Sequence, residues 1–233
     1  MIGRGDLGVE VPFTELPAIQ KYLITKCRLL GKRVITATEM LESMTHNPRP
    51  TRAEISDVAN AVYDGTSAIM LSAESAAGKF PVEAVQTMAS IAEETEKHIS
   101  YEKRFKNTDF KIKSVLDAVS HSTCCMAIDI HAKAIVVSSL SGMTVRMVSR
   151  FRAPVDIIGM ATSKKVWYKL ALSWGVLPVL SEEFNSTDVL FYHALRTARR
   201  IFGLNSGDNV VMTGGMTNST SGNTNLIKVE TVQ

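Results

Sequence analysis

The chain has 233 residues, of which 45% are hydrophobic and 21% are charged, and this composition is typical of a globular protein rather than a disordered one. The net charge of +3 is too small to predict a nucleic-acid-binding protein. No apolar run approaches the roughly 18 residues of a membrane span, and no charged-then-apolar segment opens the chain, so we expect neither a membrane protein nor a signal peptide.

The first hundred residues predict short strands that alternate with helices, the pattern of a parallel α/β structure. Strands are predicted at residues 1–3, 34–38 and 68–72, the last apolar enough to be covered on both faces. A loop is predicted at 4–8, and helices at 16–30, at 51–63 with a capping box, and from 81 through 95. This alternation is the pattern of a (β/α)8 barrel, of which roughly five repeats are missing, so we expect the chain to begin inside a domain.

A polar segment rich in lysine and arginine, residues 101–113, predicts a solvated linker at a domain junction. We therefore expect one domain at 1–105 and another at 106–233. The second repeats the alternation, with strands predicted at 134–138, 156–160, 176–180, 209–213 and 226–232, and with helices that begin near 115, 143, 163 and 187. The last strand is expected to be antiparallel, because the loop 214–223 holds no crossover helix. The sequence predicts an open, mostly parallel α/β sheet here.

Three polar features follow the predicted strands of the first domain. Asp6 lies in a glycine-containing turn and is suited to a hard cation such as Mg²⁺, although an aspartate in such a turn is often structural. Thr36 and Thr38 end the second strand and can donate to a substrate carboxylate, or they simply favour a strand as β-branched residues. The segment 47–64 predicts either a polar network or an ordinary capped helix with surface charges.

In the second domain, a run of hydroxyls and a glycine ends a strand and opens a helix. Its residues are Ser139, Leu140, Ser141, Gly142, Met143 and Thr144. Free helical N–H groups beside hydroxyls are suited to a phosphate, and the alternative is a plain helix cap. Trp167 and Trp174 are expected to share one face of a helix and to pack in the core.

The cysteines and histidines predict no metal centre or disulfide framework. Three cysteines, two of them adjacent at Cys124 and Cys125, indicate reduced thiols in a cytoplasmic protein, and this pair is expected in or beside the core. The five histidines lack ligand spacing, so no transition metal is assigned.

Five blocks of the first hundred residues resemble the pyruvate kinase family, in the family's order and spacing. They are residues 2–10, 35–44, 48–54, 56–62 and 70–76, with small departures at Ala73 and Ser75, where a Gly and a Thr are commoner. The second half is similar to the C-terminal domain of that family. The resemblance therefore implies a partial (β/α)8 barrel, its last strands only, followed by an open α/β allosteric domain.

The resemblance implies phosphoryl transfer between phosphoenolpyruvate and ADP, which yields pyruvate and ATP, with Mg²⁺ (or Mn²⁺), usually K⁺, and a homotetramer. It implies that Asp6 is a metal ligand and that the Gly5 amide and Thr38 contact the substrate. It implies less specifically that Ser56 joins a hydroxyl network near the carbon that is protonated.

For the second domain, the resemblance implies that the loop 139–144 binds a phosphorylated allosteric effector and that the loop 214–223 closes over it. Met143 stands where a basic residue often occurs, and the closing loop has no Arg or Lys. We therefore expect a sugar monophosphate or a nucleotide rather than fructose 1,6-bisphosphate.

The family's catalytic lysine and its other metal and phosphate ligands lie upstream of this chain. A single carboxylate holds Mg²⁺ poorly, and three barrel strands leave two sheet edges unpaired. We therefore expect a C-terminal portion that is inactive by itself. The alternative is a non-catalytic regulatory module that binds a phosphometabolite through the loop 139–144.

Overall fold

Two α/β units make up the structure, a computed structural model that describes residues 1–215 and 223–233. The first unit is Met1–Ser100 and the second is Tyr101–Gln233. The boundary expected between residues 105 and 106 falls inside a helix of the second unit, Tyr101–Asn107. No helix in the described part of the chain is long and apolar enough to cross a membrane.

The first unit is a three-stranded parallel sheet with helices after its strands. Its elements in chain order are β1 (Ile2–Gly3), α1 (Arg4–Glu10), α2 (Leu16–Leu29), β2 (Ile35–Ala37), a 3₁₀ helix (Glu42–Thr45), α3 (Arg52–Asp64), β3 (Ala68–Met70), α4 (Ala73–Ala76) and α5 (Pro81–Lys97). The strand order is β1-β2-β3, and Ile2 lies opposite Thr36 while Ile35 lies opposite Ala68. Among the described residues these strands do not close into a barrel, which agrees with the partial barrel that the sequence predicts.

Two sequence predictions for the first unit were wrong in detail. The loop expected at residues 4–8 is the helix α1, whose first turn carries Asp6, where the partial positive charge of a helix start favours a carboxylate. Strand β3 is half-buried at every residue rather than covered on both faces. It pairs with β2 alone among the described strands, so its other edge lacks a neighbour that would cover it.

The predicted capping box of α3 is confirmed. The Thr51 hydroxyl accepts the Glu54 amide at 3.2 Å, and the Glu54 carboxylate accepts the Thr51 amide at 2.7 Å. The helix ends at Gly65, whose φ of 91° is the left-handed conformation that glycine adopts without strain. The two caps thus define both ends of α3, the helix that carries Asp57.

The second unit is a five-stranded sheet. Its elements are α6 (Tyr101–Asn107), α7 (Val115–Asp129), β4 (Ala134–Ser138), α8 (Met143–Ser149), β5 (Ile157–Ala161), α9 (Lys164–Leu170), β6 (Val176–Leu180), α10 (Thr187–Phe202), β7 (Asn209–Gly215) and β8 (Thr224–Thr231). The strand order is β6-β5-β4-β7-β8, with β8 antiparallel to β7 and the other pairs parallel. The predicted sheet and its antiparallel last strand are confirmed.

Buried apolar residues cover both faces of this sheet. One cluster packs Ile135, Val137, Ile157 and Val211 against α7, α8 and α9, and Cys124 lies within it as expected. The other packs Val136, Ile158 and Met212 against the buried stripe of α10. The sheet therefore lies between two layers of helices, as in other open α/β domains.

The polar segment at 101–113 is not simply a linker. Its first seven residues form α6, which buries Phe105 to 6% exposure within a group of aromatic rings that includes Phe110, His121 and Phe151. A lysine-rich helix that buries one aromatic side chain looks like a solvated segment by composition alone.

One predicted helix of the second unit is shorter than expected. Helix α9 ends at Leu170, so Trp174 lies outside it and the two tryptophans do not share a helix face. Trp167 donates its ring N–H to the Pro178 carbonyl at 2.9 Å, whereas Trp174 stacks near Tyr101 with ring centroids 5.2 Å apart.

Candidate functional site

The carboxyl ends of the three strands of the first unit meet at one edge of the sheet, because the strands are parallel. Strand β1 leads there into Arg4, Gly5 and Asp6, β2 leads into Thr38, and β3 leads into Ser72. Thr36, by contrast, is fully buried and hydrogen-bonded to the Thr66 hydroxyl at 3.0 Å, so it belongs to the core. Of the two threonines proposed at this strand end, only Thr38 lies at the edge.

Gly5 and Thr38 are in direct contact. The Gly5 amide donates to Thr38 Oγ1 at 3.0 Å, and the Thr38 hydroxyl donates to the Ala37 carbonyl at 2.7 Å. A Cβ at Gly5 would stand 3.8 Å from Thr38 Oγ1, in ordinary van der Waals contact. The structure thus brings together the amide and the hydroxyl that the sequence predicts as substrate contacts.

Asp6 lies beside this pair on α1 and is exposed. Its Oδ2 would stand 3.4 Å from a Cβ added at Gly3, which places the carboxylate over the end of β1. The described residues contain no group of three or more His, Cys, Asp or Glu side chains arranged to hold a metal ion. Asp6, exposed at this edge, is suited to supply one carboxylate ligand to a hard cation.

Arg4, which sequence reasoning did not single out, is the centre of the hydrogen bonding at this edge. Its guanidinium is 6% exposed and donates to the carbonyls of Thr38 and Glu39, at 2.8 and 2.7 Å from Nη2. It also pairs with the carboxylate of Asp57 on α3. The sequence does not distinguish a buried arginine from an exposed one. The one sequence signal that Arg4 could belong to the site was its position directly after the predicted strand.

Glu74 is a second buried charge that sequence reasoning missed. It is fully buried in α4, and its carboxylate accepts the Leu41 amide at 3.0 Å and the Ser72 amide at 2.7 Å. These amides follow β2 and β3 respectively, so the side chain ties the two strand ends together. The sequence block 70–76 contains it, but a residue with long-range partners leaves no local pattern to detect.

Several residues of the polar segment 47–64 take part in hydrogen bonds and ion pairs. The Glu54 carboxylate accepts the amide and hydroxyl of Ser43 at 2.7 and 2.5 Å, besides its bonds to Thr51. Burial opposes ionisation of Glu54, but these hydrogen bonds outweigh it and hold its pKa below the usual value. Asp57 pairs with Arg4, and Asp64 pairs with Lys21. Arg49, Arg52, Ser56 and Asn60 are exposed.

Ser56 therefore lies apart from the Gly5–Thr38 pair in its contacts. It is exposed on α3, and the residue of that helix that connects to the strand ends is its neighbour Asp57, through Arg4. Among the described residues no hydrogen bond joins Ser56 to Gly5, Asp6 or Thr38. Its role in a hydroxyl network stays a prediction.

In the second unit, residues 139–144 connect β4 to α8 at the carboxyl edge of the sheet. Leu140, Ser141 and Met143 are exposed, whereas Thr144 is 4% exposed and its hydroxyl is 2.6 Å from that of Thr224 on β8. Gly142 has a φ of 74°, and a Cβ there would come within 3.0 Å of Val166, so this position requires glycine.

The positively charged side chain of Arg146 lies close to this loop. Arg146 Nη2 is 2.8 Å from the sulfur of Met143, so a positive charge stands beside the residue that replaces a basic one. The other predicted part of this site, the loop 214–223, lies for residues 216–222 outside the part of the chain that the structure describes. Gly214, which precedes them, would bring a Cβ within 3.3 Å of the Ser138 carbonyl, so β7 passes close to the end of β4.

Short parallel strands whose carboxyl ends gather an amide, a hydroxyl and a carboxylate are the arrangement by which α/β enzymes bind small substrates. Comparison with known proteins identifies which α/β family this is. Residues 1–85 match the model of the pyruvate kinase barrel domain, and residues 117–230 match that of the pyruvate kinase alpha/beta domain. Between them, the two matches leave only residues 86–116 and the last three residues uncovered.

Individual relatives agree over the whole chain. It is 48% identical to pyruvate kinase of Clostridium acetobutylicum and 43% identical to that of Clostridium perfringens, and it covers 50% of each relative. It is 46% identical to pyruvate kinase of Geobacillus stearothermophilus, of which it covers 40%. The chain belongs to the pyruvate kinase family, and it spans about half the length, or less, of these curated relatives.

Proposed function

We propose that the strand ends of the first unit form part of an active site that transfers a phosphoryl group between phosphoenolpyruvate and ADP. The observation that carries the proposal is the contact between the Gly5 amide and the Thr38 hydroxyl at 3.0 Å. A substrate carboxylate that displaces the bond from the Gly5 amide to Thr38 Oγ1, and the bond from the Thr38 hydroxyl to the Ala37 carbonyl, would accept from both donors. Because phosphoryl transfer depends mainly on positioning and on charge stabilisation, a fixed carboxylate anchor is what the reaction needs from this edge.

Asp6 would contribute one carboxylate ligand to Mg²⁺ or Mn²⁺, and such an ion, when bound, neutralises charge on the phosphoryl oxygens. Its place in the first turn of α1, beside Gly5, supports this role. The remaining ligands, and those of K⁺, would come from residues other than those described here. Ser56 is proposed as a more distant member of the hydroxyl network near the carbon that is protonated.

We further propose that the 233-residue chain does not turn over by itself. The sheet of three strands, which does not close into a barrel among the described residues, supports this. The chain would act as the C-terminal portion of a cytoplasmic homotetramer. The free state of Cys27, Cys124 and Cys125 agrees with a reducing compartment.

A complementation assay tests the catalytic proposal. Pyruvate formation from phosphoenolpyruvate and ADP is measured for the chain alone, and for the chain fused behind the part of Clostridium acetobutylicum pyruvate kinase that the match leaves uncovered. We expect no turnover from the chain alone and restored turnover from the fusion. The variants Asp6→Asn and Thr38→Val should lower the activity of the fusion about 100-fold or more, whereas Lys32→Gln on the exposed surface should not.

Two outcomes would contradict the proposal separately. Turnover by the chain alone within tenfold of the fusion would overturn the claim of inactivity. A folded fusion that binds phosphoenolpyruvate but is unaffected by Asp6→Asn and Thr38→Val would overturn the assignment of these residues.

For the second unit, we propose a site for a phosphorylated effector at the loop 139–144. The hydroxyls of Ser139 and Ser141 and the nearby guanidinium of Arg146 are the groups that support phosphate binding. Because Met143 stands where the resemblance leads us to expect a basic residue, a sugar monophosphate or a nucleotide fits better than a bisphosphate. The sheet of this unit carries an apolar cluster on each face, which gives the unit a core of its own. With an effector bound at the loop, the unit would therefore also serve as a regulatory module.

Isothermal titration of the chain with glucose 6-phosphate, AMP and fructose 1,6-bisphosphate tests this second proposal. We expect binding of a monophosphate that weakens about tenfold in Arg146→Gln and is unchanged in the control Arg196→Gln on the exposed side of α10. No heat with any of the three ligands would contradict the site.

A further inference from the structure

Two consecutive residues at the end of β2 hold a strained backbone. Thr38 and Glu39 have φ values of 67° and 53°, in the left-handed region that side chains other than glycine rarely enter. For a β-branched residue such as Thr38 the conformation is a clear outlier, and it persists only where surrounding contacts outweigh its cost. The contacts that hold this turn therefore decide where the Thr38 hydroxyl points.

The side chain of Arg4 supplies those contacts. Its Nε and Nη2 donate to the Thr38 carbonyl at 3.0 and 2.8 Å, and Nη2 also donates to the Glu39 carbonyl at 2.7 Å. Both carbonyls belong to the two strained residues. Because the guanidinium is planar and 6% exposed, these bonds fix the orientation of both peptide units with little competition from water.

Asp57 completes the arrangement from α3. Its carboxylate accepts from Nη1 of Arg4, the nitrogen that does not contact the turn. Asp57 thus holds Nη1 of the guanidinium, while Nε and Nη2 hold the carbonyls of the turn. A lysine would keep the charge near Asp57 but has no planar fork with which to reach both carbonyls.

We infer that Arg4 is a positioning residue that holds Thr38 in its left-handed conformation, so that the Thr38 hydroxyl lies against the Gly5 amide. The inference rests on the proposed function, in which these two groups contact the substrate carboxylate. Arg4 is suited to the task because its backbone begins α1, which carries the Gly5 amide, while its side chain sets the turn that carries the hydroxyl. One residue therefore places both donors.

The test compares Arg4→Met and Arg4→Lys with the matched variant Asp57→Asn in the 233-residue chain. Backbone chemical shifts of Thr38 and Glu39 report their conformation by NMR, and amide exchange at Gly5 reports its bond to Thr38. We expect both Arg4 variants to lose the left-handed shifts and to exchange about tenfold faster at Gly5. Asp57→Asn should keep the turn, because the bonds from Arg4 to the carbonyls remain.

Pyruvate serves as the carboxylate probe. In the wild-type chain we expect pyruvate to shift the Gly5 and Thr38 amide signals, and in the Arg4 variants its Kd should rise about tenfold. Left-handed shifts retained by Thr38 in both Arg4 variants would overturn the inference. If Arg4→Met unfolds the first unit, the smaller change Arg4→Lys decides.

The two proposals can fail independently. A wild-type chain without any response to pyruvate, whose Arg4 variants still lose the turn, would contradict the proposed substrate contact and support the positioning role of Arg4. A pyruvate response that is equal in wild type and in both Arg4 variants would support the proposed substrate contact and contradict the positioning role of Arg4.

Discussion

The two units use different means to hold their strands. In the second unit, strands of five to eight residues carry an apolar cluster on each face of the sheet. In the first unit the strands have two or three residues, and the turns at their ends are held by the buried charges of Arg4 and Glu74. Apolar residues also pack in the first unit, in clusters around Met44 and Ile24. What sets the first unit apart is the set of hydrogen bonds by which Arg4 and Glu74 hold the turns at the edge that carries its site.

The difference matters for function because each kind of contact responds differently to change. Apolar packing is spread over many residues and stabilises a fold without directing particular atoms. Hydrogen bonds from a buried charge are directional and place single groups such as the Thr38 carbonyl. The predictions below ask whether each unit responds to the loss of its own kind of contact, from the largest expected effect to the smallest.

The largest effect is expected from Phe151→Ala in the second unit. Phe151 is fully buried and its ring lies 4.6 Å from that of Phe110 in an edge-on contact. Removing it leaves a cavity and should lower the free energy of unfolding of the second unit by about 3–5 kcal/mol. Urea unfolding followed by tryptophan fluorescence measures this, because Trp167 and Trp174 both lie in the second unit.

A matched control is Phe13→Ala, which removes a ring that is 82% exposed in the first unit. It should leave the fluorescence transition within about 0.5 kcal/mol of wild type. Equal losses in the two variants would contradict the idea that the apolar clusters carry the second unit.

A smaller effect, confined to the first unit, is expected from Glu74→Gln. The amide side chain offers one carbonyl oxygen in place of two, so either the Leu41 or the Ser72 amide loses its acceptor. The cost should be about 1–3 kcal/mol and should appear as faster hydrogen exchange in peptides that span residues 38–45 and 70–76. The tryptophan transition should not move. Glu83→Gln, exposed on α5, is the control, and a matching change in exchange there would argue against a special role for Glu74.

Some elements of the fold, and two residues of the candidate site, could be predicted from the sequence. Strand β6 is predicted with the bounds that the structure has, and α10 with the same last residue, because apolar runs and glycine stops are local signals. The resemblance identifies Gly5 and Thr38, and the structure brings them into contact. Burial along α5 was less predictable, since Val85 is 54% exposed while its smaller neighbour Ala84 is buried.

The rest of the site could not be predicted because its determinants are not local. Arg4 binds carbonyls that lie 34 and 35 residues away, and Glu74, besides its neighbour Ser72, binds an amide 33 residues away. The left-handed conformation of Thr38 runs against the preference of a β-branched residue, so propensity points away from it. Such conflicts between local preference and the folded structure are typical of functional sites.

Helix caps give a third prediction that compares the units directly. The Thr51 hydroxyl accepts the Glu54 amide at the start of α3, whereas the side chain of Ser186, the residue before α10, makes no such bond. Thr51→Ala should therefore cost about 1 kcal/mol, and Ser186→Ala should cost a few tenths at most. Hydrogen exchange in the first turn of each helix measures the two effects, and a larger effect at Ser186 would contradict the capping geometry.

The smallest effect is a pH dependence of the second unit through His121. The ring packs between Phe105 and Phe151, and burial, with a further contribution from Arg150, lowers its pKa below the ordinary value of 6.5. The folded state therefore binds fewer protons than the unfolded state just below pH 6.5, so stability rises with pH in that window and falls as the pH drops through it. The slope should stay below about 1.4 kcal/mol per pH unit, the limit for one proton.

His121→Phe keeps an aromatic ring in the cluster and removes the titration, so it should flatten the slope of the tryptophan-monitored stability between pH 7 and pH 5. The matched control is His98→Gln, a histidine that is 65% exposed in the first unit, and it should leave the slope as in wild type. An unchanged slope in His121→Phe would assign the pH dependence to another group.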